Sequence, residues 1–223
     1  HSHAKILSID ASPAKAAPGV LLVLTGNDPE ILALGLQMPR IPRKRRDGSP
    51  AFFSPQSLLA RDRVRYIGDY VALVVAETLD QAKDAAELIQ VDYESLPAVV
   101  STELAVKPGA PAVWDKCPDN QAFVHEAGNK AATEAAFAKA DHIVRHTMVI
   151  NRLTTNSMEP RGCLAEYDAR EDRYTVRVTS QGPHTVRRTL AQQIFKIPET
   201  QIRVIAENVG GGFGMKGGIY PEY

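Results

Sequence analysis

The sequence predicts an α+β protein built in two parts. Three observations carry this. Short β-branched and aliphatic runs alternate with helical stretches that have clear caps or an apolar face. A tract at 101–130, broken by Pro108, Gly109, Pro111, Pro118 and Gly128, separates two such groups. The second group ends in a dense glycine cluster at 210–218. At 223 residues, with 44% hydrophobic and 23% charged side chains, the chain has ordinary globular composition and can bury roughly 70% of its unfolded surface. Lys+Arg and Asp+Glu each number 26, so no net field draws it to nucleic acid.

Residues 4–9 and 19–25 read as strands, the second after a Pro-Gly turn signal. Residues 26–62 lack periodicity and read as a long loop with room for one short helix. Residues 64–67 and 71–76 are strands around Gly68-Asp69, and the unbroken VALVVA pattern predicts a strand covered on both faces. Thr78-Leu79-Asp80-Gln81 is a capping box opening a helix whose apolar face is Ala82, Ala85, Ala86 and Ile89. Residues 90–93 form a strand stopped by Leu96-Pro97, so 1–100 reads as one compact unit. Beyond the divider come a short helix at 131–139 and strands at 142–152, 162–167 and 174–179. A helix over 185–195 follows, with Val186, Leu190 and Ile194 on one face, and then a strand at 202–205 running into the glycines.

Four glycines in the five positions Gly210, Gly211, Gly212, Phe213 and Gly214 weaken local structure and need a reason. One reading is backbone N–H groups brought close to an oxygen-rich ligand; the other is a plain turn. Residues 212–217 match GxGxxG after a strand, but no helix and distant acid follow as a dinucleotide site requires. Lys216 is not followed by Ser or Thr, so the phosphate-loop pattern fails too. Gln181, between a strand end and a helix start, offers a donor and an acceptor, against a bland reading as a cap or turn residue. His142 and His146 share a face of the predicted strand; they read as a metal pair or as ordinary exposed histidines. Glu159 and Arg161 read as a structural ion pair. The run Arg40, Arg43, Lys44, Arg45, Arg46 reads as a solvated loop or a docking patch. Cys117 and Cys163 form no CxxC pair, which excludes an iron–sulfur cluster held by this segment and fits a reducing, cytoplasmic setting. No apolar run reaches the ~20 residues of a membrane span, and no signal peptide is visible. Both ends read as cut from something larger.

Several stretches resemble the molybdenum-binding large subunits of the xanthine dehydrogenase, aldehyde oxidase and carbon monoxide dehydrogenase family. Residues 64–78 (VRYIGDYVALVVAET) and 91–99 (VDYESLPAV) resemble the family's a/b hammerhead domain. Residues 158–162 (MEPRG), 180–184 (SQGPH) and 210–216 (GGGFGMK) are similar to the first part of its molybdenum-cofactor domain. The resemblance runs in order along nearly the whole chain. It implies an a/b hammerhead domain at 1–105, a linker at 106–139, and the N-terminal part of a mixed α/β molybdenum-cofactor-binding domain at 140–223. It implies a hydroxylase that oxidises an aldehyde or N-heterocycle carbon with oxygen from water. Its cofactor would be molybdenum–molybdopterin in the cytosine dinucleotide form, with [2Fe-2S] clusters and FAD on partner subunits. On the matching positions, Gln181 is similar to the glutamine that approaches a molybdenum ligand. Phe213 and Gly214 are similar to the residues whose amides approach the apical oxo group, while Gly211 and Gly212 let that loop come close. No residue here matches the family's catalytic glutamate, which lies downstream, and no residue ligates the metal directly; the segment is expected to be inactive alone. Gly217 stands where purine-oxidising members carry a glutamate, which argues against xanthine. The alternative is a non-catalytic scaffold that docks iron–sulfur and flavin partners.

Overall fold

The structure, a computed structural model, describes residues 1–38, 42–54, 56–151 and 153–223. In the N-terminal half, β1 (Ala4–Asp10) is the middle strand of an antiparallel sheet between β3 (Arg63–Val64) and β5 (Gln90–Ser95). Its register with β5 shifts between Ile6 and Ser8, a bulge. Ala4, Ala60 and Val64 form the core beneath it, with Ile6, Val71 and Tyr93 packed around them. A second antiparallel pair, β2 (Val20–Thr25) with β4 (Ala72–Ala76), is covered on one face by α1 (Ser12–Lys15) and α3 (Leu79–Glu87). Ala11, Ala14, Val23 and Ala85 are buried there. The small alanines let the elements approach closely. The box at Thr78 is formed on both sides: its hydroxyl accepts the Gln81 N–H at 3.3 Å, and Gln81 Oε1 accepts the Thr78 N–H at 3.0 Å. Such a cap is worth about 1 kcal/mol.

Three expectations for this half are corrected. The strand expected at 64–67 is only Arg63–Val64, because the Asp69 carboxylate takes the Arg65 N–H at 3.1 Å and the chain turns through Gly68 at φ 96°. β4 is not covered on both faces: Leu73 and Val75 remain 47% and 40% exposed, since a two-stranded ribbon with helices on one side leaves the other side bare. Ala86 is exposed, so the buried face of α3 is carried by Ala85 and, past its end, Ile89. The loop at 26–62 does contain one short helix, α2 (Pro29–Ala33).

The basic run is solvated at Lys44 and Arg46, whereas Arg43 and Arg45 are half-buried. Arg45 pairs with Asp119, Arg46 with Glu126, and the Arg43 guanidinium lies 6.0 Å from the Phe123 ring centre. The Val124 N–H donates to the Lys44 carbonyl at 3.1 Å, so the arginines lay the connecting tract against the long loop. Arg40 lies outside the described residues. The tract holds α4 (Thr102–Ala105) and a turn organised by Asn120, whose side chain donates to the Ala105 and Pro111 carbonyls and accepts from Val113 N–H, all at 2.9 Å. α5 (Lys130–Ala138) follows, capped by Asn129.

The strand expected at 142–152 is not formed over 142–151, and Arg152 lies outside the described residues. Among the described residues no segment offers this stretch a ladder, and a strand cannot satisfy its backbone alone. Val144 and Ile150 stand 90% and 91% exposed. Beyond them, β6 (Cys163–Asp168) pairs antiparallel with β7 (Arg173–Val178), and β7 pairs parallel with β8 (Ile202–Ile205). The crossover between β7 and β8 is α6 (Pro183–Arg188), continuing as a π-helix at Thr189–Phe195. The expected apolar stripe is realised: Val186, Leu190 and Ile194 are 1%, 4% and 4% exposed. Val186 and Leu190 pack with Val176, Val178 and Ile202 in the largest core. Among the described residues no helix is long and apolar enough to cross a membrane.

The two halves meet at the end of that helix. Gly35 donates its N–H to the Ile194 carbonyl at 2.8 Å, and Met38 donates to the Gln193 side chain at 2.9 Å. The approach needs glycine: a Cβ on Gly35 would lie 1.6 Å from the Gln193 carbonyl oxygen. Gly35→Ala is therefore expected to cost roughly 1–3 kcal/mol in chemical denaturation. Gly162→Ala, with nothing within 4 Å of its added methyl, is expected to stay within about 0.5 kcal/mol of the parent. Equal midpoints for the two variants would show that the contact at Gly35 does not hold the halves together.

Candidate functional site

β7 and β8 are neighbours and parallel, with Arg177 opposite Ile205, so both strands end on the same edge of the sheet. The chain leaves β7 through Thr179, Ser180 and Gln181 into α6, and leaves β8 through 206–209 into the glycines. Ligand sites form at such edges, where strand ends deliver loops to one place.

Gly182, not Gln181, is the N-cap of α6, and it makes no side-chain cap bond. Pro183 suits the first helical turn because the missing N–H is one that would go unpaired there. Relieved of a capping role, the exposed Gln181 side chain lies across Gly212: a Cβ on Gly212 would fall 2.5 Å from Gln181 Cδ and 2.7 Å from its Oε1. Among the described residues the Gln181 carboxamide has no hydrogen-bond partner, leaving both its donor and its acceptor open.

The loop turns tightly. Met215 N–H donates to the Gly212 carbonyl at 2.8 Å, and the two central residues have positive φ, 47° at Phe213 and 86° at Gly214. That is the pattern of a type I′ turn. An aromatic residue in this region is costly, about 1–2 kcal/mol, and such strain gathers at functional sites. Among the described residues the N–H groups of Phe213 and Gly214 donate to no acceptor. Phe213 is 74% exposed and its ring folds toward Gly211, itself at φ 95°.

Lys216 closes the loop and is 0% exposed. Its ammonium donates to Glu159 Oε2 at 2.7 Å, and the same oxygen accepts the Gly210 N–H at 2.7 Å. Its carbonyl accepts the Gln181 N–H at 3.0 Å and the Ser180 hydroxyl at 3.4 Å. The burial of Lys216 and its pairing with Glu159 were not identified from sequence. Glu159 does not pair with Arg161, whose guanidinium stacks 3.5 Å over the Tyr220 ring and binds Glu222 at 3.1 Å. An open cleft of about 570 Å³ beside the loop is lined by Asn156, Ser157, Arg161, Cys163 and Met215 among others.

The structure thus brings Gln181 against Gly212, in the turn that also holds Gly211, Phe213 and Gly214. It does not bring the histidines there: His142 and His146 are exposed on the irregular 141–151 segment, and no metal-holding group of His, Cys, Asp or Glu forms among the described residues. Cys117 is buried and Cys163 exposed, both as free thiols.

Residues 1–97 match the family model described as the a/b hammerhead domain of aldehyde oxidase and xanthine dehydrogenase, and residues 113–223 match the molybdopterin cofactor-binding domain. The chain is 37% identical over 235 residues to the carbon monoxide dehydrogenase large chain of Afipia carboxidovorans, covering 100% of this chain and 28% of that one. It is 37% identical over 221 residues to the nicotine 6-hydroxylase large subunit of Paenarthrobacter nicotinovorans, covering 99% of this chain and 26% of that one. Its fold matches a Cu,Mo-CO dehydrogenase with TM-score 0.82 at 35% identity, over 100% of this chain and 28% of that one. It also matches the quinoline 2-oxidoreductase of Pseudomonas putida 86 with TM-score 0.80 at 35% identity, over 99% of this chain and 27% of that one.

The Glu159 carboxyl is held below its ordinary range, first by the Lys216 ammonium and then by the Gly210 N–H. A depressed folded-state value stabilises the fold above the ordinary carboxylate range, and that stabilisation is lost as pH falls through the folded value. Glu159→Gln resembles the protonated acid. The gap in denaturation midpoint between parent and Glu159→Gln is therefore expected to be full near neutrality and to close in acid. A gap that stays constant from about pH 7 to about pH 3 would count against the pairing.

Proposed function

The chain belongs to the xanthine dehydrogenase/aldehyde oxidase/carbon monoxide dehydrogenase family of molybdenum-cofactor large subunits, and on that premise we propose that Gln181 and the loop at 210–216 form the protein wall of a molybdenum hydroxylase site. The observation that carries this is that, among the described residues, neither the N–H groups of the exposed Phe213 and Gly214 nor the Gln181 carboxamide packed on the adjacent Gly212 has a hydrogen-bond partner. Successive amides in a turn make a concavity for anionic oxygen, and donors fixed in advance stabilise charge without reorganising. The missing Cβ at Gly212 is what admits the Gln181 side chain and sets its carboxamide against the loop. When bound, molybdenum–molybdopterin supplies the two-electron oxidation of a substrate carbon with oxygen from water. Gln181 would orient an oxygen ligand through its donor or acceptor, and the Phe213 and Gly214 amides would hold a second. No residue of this chain is assigned a direct bond to the metal or the catalytic base.

The substrate class is an aldehyde or an N-heterocycle; the names of the nicotine and quinoline relatives support the second. The cofactor would carry the cytosine dinucleotide, with [2Fe-2S] and FAD subunits as partners in a cytoplasmic complex. The chain spans about 28% of the length of the carbon monoxide dehydrogenase relatives it matches. For the full-length subunit, Gln181→Ala and Phe213→Pro are expected to lower molybdenum and pterin content or the dye-linked rate by roughly 10–100-fold. Unchanged metal content and rate would favour a scaffold that docks redox partners. The 223-residue chain by itself is expected to oxidise no aldehyde or N-heterocycle in a dye-linked assay; turnover there would refute the assignment of the base elsewhere.

A further inference from the structure

Resting on the reading that Gln181 and the glycine loop form one wall, we propose that Glu159 is the positioning residue that sets the shape of that wall. One carboxylate oxygen, Oε2, receives the Gly210 N–H and the Lys216 ammonium, both at 2.7 Å. These donors are the first and last residues of the loop, so one atom fixes the span across which residues 211–215 must turn. The contact is reciprocal along the backbone, because the Glu159 N–H donates to the Gly210 carbonyl at 3.3 Å. Ser157, whose hydroxyl donates to the Glu159 carbonyl at 2.8 Å, lies against Gly211, where an added Cβ would be 3.0 Å from its own Cβ. Pro160 disfavours helical backbone at Glu159, and the chain bends at Met158 and Glu159 as it passes the loop.

The effect reaches Gln181 through Lys216. That side chain is 0% exposed, and a buried ammonium without its carboxylate is strongly unfavourable. Removing the Glu159 acid leaves Lys216 two outcomes: remain buried and unpaired, or move out to water. Either loosens its carbonyl, which accepts the Gln181 N–H at 3.0 Å. Arg161 does not compete for Glu159, being held by Tyr220 and Glu222. Glu159 touches neither the open amides nor the carboxamide, so its role is to place them.

The test is site-resolved amide hydrogen exchange on the full chain, comparing the parent with Glu159→Ala and Glu159→Gln. The informative amides are Met215, bonded to Gly212, and Gln181, bonded to Lys216, because neither donates to Glu159. In Glu159→Ala both are expected to exchange at least about tenfold faster. Glu159→Gln, which keeps an acceptor oxygen, is expected to show a smaller increase. The amides of α3 and of the β1–β5 pair should be unchanged. Unchanged protection at Met215 and Gln181 would overturn the proposal, and so would an equal increase everywhere, which would make Glu159 a general stabiliser. If Glu159→Ala does not fold, the same comparison is read from Glu159→Gln. The measurement needs no molybdenum. Loosening at Gln181 together with normal metal content in Gln181→Ala would sink the cofactor reading and leave the positioning role standing; the reverse pair of results would do the opposite.

Discussion

The site depends on burying one lysine. Lys216 is surrounded completely, yet it sits in a glycine-rich turn, where little side-chain mass is available to cover it. Its charge is met by Glu159 from the segment before β6. Its carbonyl is used by Ser180 and Gln181 from the end of β7. Three stretches far apart in sequence are thereby joined at a single residue. The parallel pairing of β7 and β8 makes the meeting geometrically available, since both strands deliver their ends to one edge. The lysine then determines how the two loops face each other once they are there.

Where the signal was local, it was legible in the sequence. Thr78 and Gln81 are three residues apart and satisfy one another's backbone groups, so their box could be read directly and is formed. The stripe of Val186, Leu190 and Ile194 follows from helical spacing, and the strand at Ile202–Ile205 from its β-branched run. The meeting of Gln181 and Gly212 was legible only through the family resemblance, because nothing local relates a strand end to a loop 30 residues later. The partner of Glu159 was not legible. Proximity in sequence favoured Arg161, but Arg161 stacks on Tyr220 instead. The partners of the basic run were not legible for a similar reason: its counter-charges, Asp119 and Glu126, lie more than 70 residues away. The apolar runs at 71–76 and 142–151 show a different limit. A pattern states that a segment can be buried as a strand, whereas a ladder partner and a covering layer are supplied only by the rest of the fold.

Strain and openness coincide in the loop. Phe213 could relax by leaving the left-handed region, but the turn bond from Met215 to Gly212 and the closure at Lys216 require it to stay. In that turn the amides of Phe213 and Gly214 donate to no acceptor among the described residues. A loop free to choose its own conformation would pair or solvate those groups in many ways. A loop fixed at both ends presents them in one. Rigidity here comes from outside the turn, which is consistent with so many glycines being tolerated in it.

Among the described residues the N-terminal half contributes none to this wall, yet it is mechanically part of it. The helix that begins after Gln181 ends at Phe195, and its last turn leaves carbonyls without intrahelical partners. Gly35, from the other half of the chain, takes the Ile194 carbonyl at 2.8 Å, in a contact that no larger residue could make. Tyr70 reaches Glu222 at 2.8 Å, and Glu222 in turn holds Arg161, two residues from Glu159. One contact fixes the far end of the helix that starts beside the carboxamide; the other steadies the segment that carries the carboxylate. A shift of the N-terminal half would therefore move Gln181 and Glu159 together, through two separate routes, without touching either one.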